Sequence, residues 1–142
     1  MLIKEIMTTN VITISPEASL KEVGRVLKEK KVSGLPVTNT AGTVVGIITL
    51  TDLWRVLHRI YSWKGFEKTE FGAQFNDMLE QEKTNSKVKD IMTKTVISLS
   101  EDDSIDDAMR MMFENQIHTI PVTKDGRLIG IVGKRDIIYN AF

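Results

Sequence analysis

The chain has 142 residues, 42% of them apolar, enough for one compact body that buries roughly two-thirds of its unfolded surface without a covalent staple. It holds no cysteine, which excludes disulfides, cysteine zinc sites and thiol nucleophiles and fits a reducing, cytoplasmic setting. Nineteen basic residues against nineteen acidic ones leave a formal net charge of zero, so no global field gathers nucleic acid or an anionic membrane, and any bound anion needs a local site.

The opening Met1-Leu2-Ile3-Lys4-Glu5-Ile6-Met7 lacks the basic, apolar, small-residue order of a secretory signal. Residues 11–14 alternate weakly and predict a short strand. Ser19 with Glu22 three residues on predicts a capping box opening a helix, in which Leu20, Val23 and Leu27 share a face. Two β-branched runs follow, residues 35–37 and 44–48, joined by Asn39-Thr40-Ala41-Gly42, a tetrad whose glycine can take positive φ. The second run is far short of the roughly 20 apolar residues that cross a bilayer, so no membrane insertion is expected. A helix then begins near Asp52, with Leu53, Leu57 and Ile60 at helical spacing.

The same order returns after residue 87. Ile6-Met7-Thr8 recurs as Ile91-Met92-Thr93, Val11-Ile12 as Val96-Ile97, Ser15 as Ser100, Ser19 as Ser104 and Pro36-Val37-Thr38 as Pro121-Val122-Thr123, all at one offset. With one residue dropped in the second turn, Lys124-Asp125-Gly126, the residues Gly42, Gly46-Ile47 and Asp52 recur as Gly126, Gly130-Ile131 and Asp136. Leu20, Val23 and Leu27 correspond to Ile105, Ala108 and Met112. Matches in order with one gap establish an internal duplication. The expected organisation is repeat 1 over residues 1–60, a helical insert over 61–87 and repeat 2 over 88–142, together one module. Each repeat reads strand, helix, strand, strand, helix, an α/β (α+β) unit whose sheet packs on its copy around a pseudo-twofold axis. In the insert, Trp63, Lys64, Gly65 and Phe66 read as a loop, and Phe71, Phe75 and Met78 as one side of a further helix. Trp54, Trp63 and Phe66 read as packing or interface residues, the commonest use of aromatics.

Nothing in the chain predicts catalysis or a metal centre. His58 and His118 are the only imidazoles, and there is no nucleophile elbow, GxxxxGK[ST] loop or GxGxxG loop. The acidic pairs Asp102-Asp103 and Asp106-Asp107 stand at a helix start, where they complement the dipole. The end of each repeat is more informative: Gly46-Ile47-Ile48-Thr49-Leu50-Thr51-Asp52 and Gly130-Ile131-Val132-Gly133-Lys134-Arg135-Asp136. Each delivers hydroxyls or cations and then a carboxylate to a strand–helix junction. A carboxylate accepts two hydrogen bonds at once, as adjacent ribose hydroxyls require, while Thr49, Thr51, Lys134 and Arg135 suit phosphate. Helix capping by Asp52 and Asp136 is the competing role.

Taken together, Val11-Ile12-Thr13-Ile14-Ser15-Pro16-Glu17-Ala18-Ser19-Leu20, Val32-Ser33-Gly34-Leu35-Pro36-Val37-Thr38 and Gly46-Ile47-Ile48-Thr49-Leu50-Thr51-Asp52-Leu53 resemble a cystathionine-beta-synthase-type (CBS) domain, and the second copy repeats the pattern over residues 91–137. The resemblance implies a tandem pair with two clefts that hold an adenine nucleotide (AMP, ADP or ATP), or S-adenosylmethionine, as a regulatory ligand, with no required cofactor, and it implies disc-like homodimers. Carried over by position, one cleft places Ile12, Val32, Ser33, Gly34 and Pro36 around the base, Asp136 on the ribose and Lys134 with Arg135 toward phosphate. The other places Ile97, Ile117, His118 and Pro121 opposite Thr49, Thr51 and Asp52, with His118 reaching phosphate; an exposed strand residue without ligand role is its alternative. Gly133 departs from the pattern, since it lacks the hydroxyl that Thr49 supplies, so the clefts are expected to differ. A ligand-free dimerisation scaffold is the alternative function, and the regulated partner is not named by any motif.

Overall fold

The computed structural model describes residues 1–62 and 71–142, so the expected loop Trp63, Lys64, Gly65 and Phe66 lies outside the described residues. In chain order the elements are α1 (Ile3–Ile6), α2 (Leu20–Lys30), β1 (Gly34–Thr38), β2 (Val44–Thr49), α3 (Leu50–Tyr61), α4 (Phe71–Asn85), α5 (Val88–Ile91), α6 (Ile105–Asn115), β3 (Thr119–Lys124), β4 (Arg127–Gly133) and α7 (Lys134–Ala141).

The helices begin where small polar residues can satisfy free amide groups. Ser19 accepts from the Glu22 amide at 3.2 Å, while the Glu22 carboxylate turns to Arg25 instead of completing the box. The copy at α6 is complete: Ser104 Oγ accepts from the Asp107 amide at 3.1 Å, and Asp107 Oδ2 accepts from the Ser104 amide at 3.0 Å. These bonds from Ser104, with Arg110 beside them, hold the Asp107 carboxyl below its ordinary value of 3.8. A depressed folded value means that the carboxylate's stabilisation is present above the unfolded value of about 3.9 and is lost as pH falls through the lower folded one. The stability advantage of the natural chain over Asp107→Asn is therefore expected to be constant from pH 7 down to about 4 and to vanish below it. Urea midpoints measured across that range check this.

Each hairpin is antiparallel, with Leu35 opposite Ile48 in the first and Ile120 opposite Val132 in the second. Gly42 and Gly126 turn the chains at φ near +80°. The first strand of each repeat shrinks to one parallel bridge, Ile14 to Val37 and Leu99 to Val122, because only the Ile14 and Leu99 backbones bond the hairpin. The hairpins meet turn to turn: Val44 N donates to Gly126 O, Leu128 N to Gly42 O, and the Arg127 guanidinium to Ala41 O at 2.9 and 3.1 Å. Thus the two sheets join about a pseudo-twofold axis, as the repeat predicts.

The cores are exchanged between repeats. Ile3 and Ile6, at the start of repeat 1, pack with Leu99, Ala108, Met112, Ile120, Val122 and Val132. Val88, before repeat 2, packs instead with Val23, Leu27, Leu35, Val37, Ile48, Val56 and Ile60. Backbone bonds fix both segments: Ile3 N to Asp103 O and Val88 N to Ala18 O, each 2.8 Å. The methionines that follow lie across the opposite hairpins. A Cβ on Gly46 would meet Met92 Sδ, and one on Gly130 would meet Met7 Sδ at 2.6 Å and Thr8 O at 3.2 Å, so glycine at both positions lets the methionines lie close against the strands. From the insert, α4 lays Phe75, Met78 and Leu79 on the first core, against α2 and α3. Among the described residues nothing equivalent covers the second.

Candidate ligand clefts

Thr49 and Gly133 end β2 and β4, and the chain passes straight into α3 and α7, so Asp52 and Asp136 fall on the first turn of a helix. Asp52 Oδ2 accepts from the Thr49 amide at 2.8 Å and its hydroxyl at 3.3 Å; Asp136 Oδ2 accepts from the Gly133 amide at 2.7 Å. Both acids therefore cap their helices from the third helical position. Capping uses one oxygen of each.

The other oxygen points across to the other repeat. Thr93 Oγ1 donates to Asp52 Oδ1 at 3.1 Å, and Thr8 Oγ1 donates to Asp136 Oδ1 at 3.2 Å. Backbone pairing of Thr93 with Ile47 and of Thr8 with Ile131 holds those threonines in place. Asp136 thereby adjoins the segment that leads to Ile12, and Asp52 the segment that leads to Ile97. Thr8 and Thr93 are the site residues that motif reading missed, although their repeated Ile-Met-Thr triad was the signal.

The two carboxylates are not equivalent. Asp52 is 3% exposed, with the Arg55 guanidinium 3.6 Å from Oδ1, whereas Asp136 is half-buried and has no cation bonded to it among the described residues. Around Asp136, the side chains of Lys134 and Arg135 are exposed and make no hydrogen bond or ion pair among the described residues. Two cations thus stand free beside the more accessible acid.

Of the remaining expected residues, Ile12, Val32, Ile97 and Ile117 are half-buried, Ser33, Thr51 and His118 are exposed, and Gly34, Pro36 and Pro121 are buried. Ser33 O accepts from the Leu50 amide at 2.9 Å and His118 O from the Lys134 amide at 3.0 Å, so each lies beside the helix start of its own repeat. The Ser33 and Thr119 hydroxyls, 3.5 Å apart, face each other across the axis. The space left by Gly34 is taken by the Thr49 methyl, 3.0 Å from where a Cβ would sit. Its missing side chain thus serves hairpin packing. Two depressions lie away from the clefts, one of 530 Å³ between α2 and α3 and one of 820 Å³ among α2, α3 and α4; of the expected site residues only Thr51 lines either. Among the described residues no group of three His, Asp or Glu could hold a metal ion, and no helix is long and apolar enough to cross a membrane.

Two copies of one α/β unit, with exchanged cores and a carboxylate from each facing the other, define a duplicated pseudo-symmetric module. The chain belongs to the CBS domain family, whose model matches residues 3–58 and 88–141. It is 33% identical over 135 residues to inosine-5′-monophosphate dehydrogenase of Methanocaldococcus jannaschii, a match that covers 94% of this chain and 22% of that enzyme. The chain therefore spans about a fifth of that relative's length. The CBS domain pair of protein MJ0100, solved in complex with 5′-methylthioadenosine and S-adenosyl-L-methionine, superimposes with TM-score 0.79 at 26% identity and full coverage of both chains. CBSX2 in complex with AMP superimposes with TM-score 0.75 at 29% identity, covering 99% of this chain and 95% of that one.

Proposed function

We propose that this module is a regulatory sensor that holds an adenosine ligand between its repeats and passes the ligand state to a partner. Asp136 carries the reading: it is half-buried, and among the described residues its Oδ1 is engaged only by the Thr8 hydroxyl while Lys134 and Arg135 stand unpaired beside it. A carboxylate oxygen has two acceptor sites, so Oδ1 can take a ribose hydroxyl while Oδ2 keeps its cap. The free cations suit phosphate. The Asp52 cleft is the weaker one, because its acid is almost fully enclosed and a ligand has to open the cleft to reach it. The AMP complex of CBSX2 and the 5′-methylthioadenosine and S-adenosyl-L-methionine complex of MJ0100 support the ligand class.

In this reading repeats 1–60 and 88–142 act as one regulatory, non-catalytic unit, and the module is a cytoplasmic homodimer. Dimerisation is supported by the large apolar residues exposed on its helices: Leu50 and Trp54 of α3, Phe113 of α6, and Ile138 and Tyr139 of α7. Ligand seated between the repeats favours one arrangement of them, and a partner that binds that arrangement better is thereby recruited or released.

The test is thermal unfolding with AMP, ADP, ATP, S-adenosylmethionine and 5′-methylthioadenosine added separately. A ligand at 100 times its dissociation constant stabilises the fold by about 2.7 kcal/mol. At least one is expected to raise the melting temperature by several degrees; no shift with any of them contradicts the proposal and leaves a dimerisation scaffold.

A further inference from the structure

The helical faces of the two repeats are opposite in relief. In repeat 1 the 530 Å³ depression opens between α2 and α3, lined by Gly24, Leu27, Leu53, Trp54 and Leu57. Gly24 opens it from the middle of α2, and a Cβ built there would meet nothing within 4 Å. In α6 the positions of Gly24 and Lys28 are filled by Met109 and Phe113, and the Phe113 ring is 75% exposed. Residues four apart share a helix face, so repeat 2 carries a knob where repeat 1 has a gap.

The charges are opposite as well. Residues 20–31, which form α2 and its cap, hold five basic residues against two acidic ones, whereas α6 holds three acidic residues against one basic. Pairing within each helix uses Arg25 with Glu22 and Glu29, and Arg110 with Asp107. That leaves Lys28 on the rim of the depression and Glu114 next to Phe113, both exposed and without an ion pair among the described residues.

We propose that two copies of the chain dock with unlike repeats together, Phe113 of each seated in the Gly24 depression of the other and Lys28 of each facing the partner's Glu114. The inference rests on the homodimer reading and adds to it which surfaces meet. A twofold axis makes the contact twice, so both knobs and both gaps are used. Docking like repeats together instead sets knob against knob, leaves both gaps empty and brings the two basic α2 helices face to face. Apolar surface removed from water drives the contact, and the charges select its orientation. Thr51 also lines the depression, so the partner's ring reaches one expected residue of the Asp52 cleft.

The absence of cysteine makes the orientation measurable by linkage. Lys28→Cys and Glu114→Cys chains, both substituted at exposed positions, are co-expressed and also made separately, and each sample is treated with a short bismaleimide. A covalent dimer is expected from the co-expressed chains alone. Linkage of Lys28→Cys chains to one another, or no linkage in any sample, overturns the proposal while a dimer in sedimentation keeps the homodimer reading; sedimentation that finds only monomer overturns both. Phe113→Ala should raise the dimer dissociation constant about tenfold or more, as for an aromatic anchor. Gly24→Met, which copies repeat 2, should do the same by filling the depression. Undiminished dimerisation in these variants overturns the proposal, and Phe113→Ala decides the matter if Gly24→Met fails to fold.

Discussion

Ile3→Ala is expected to lower the free energy of unfolding by about 2–5 kcal/mol, the range for emptying a well-packed core position. Residues this close to a chain end ordinarily tolerate substitution. Here Ile3 is fully buried, its amide is bonded to Asp103 O, and it packs with Leu99, Ile120 and Val132 of the other repeat. The loss should equal that of Ile120→Ala in the centre of the second hairpin, measured by urea unfolding of both variants. A cost below about 0.5 kcal/mol, typical of surface positions, would show that the opening segment does not belong to the second core.

The second large effect separates the two cap acids. Asp52→Ala removes a helix cap, empties an almost fully buried carboxylate position and leaves the half-buried Thr49 amide without its acceptor, an expected loss of about 2–3 kcal/mol. Asp136→Ala removes the same kind of cap where water can replace it, at about 1 kcal/mol. Equal losses in denaturation would contradict the difference in burial. The contrast also guides functional work: Asp136 can be replaced with the fold intact, whereas a defect in an Asp52 variant mixes stability with binding.

The architecture was readable from the chain because its signals are local and doubled. Ser19 and Ser104 mark helix starts, Leu20, Val23 and Leu27 recur as Ile105, Ala108 and Met112, and Gly42 and Gly126 mark turns. The exchanged cores were not readable. Ile3, Ile6 and Val88 lie on helices of only four residues, too short for periodicity to show a face, and their partners are remote in sequence. In the clefts, the carboxylates were located by motif, but whether they cap or bind could not be separated, since one carboxylate has an oxygen for each task. The threonines opposite them escaped notice because Thr8 and Thr93 owe their position to pairing with Ile131 and Ile47 of the other repeat. Gly34 shows a role that motif reading did not supply: its register partner Thr49 lies against the space left by its missing side chain.

The ligand, not the protein, offers the cleanest variable for the central claim, that a carboxylate of one repeat grips the ribose of an adenosine ligand seated on the other. Calorimetric titration should compare the adenosine compound that most raises the melting temperature with its 2′,3′-dideoxy form. The account predicts that losing the hydroxyl pair weakens binding about tenfold or more, as expected when hydrogen bonds to a charged group are removed. Equal affinity for the two compounds would contradict it.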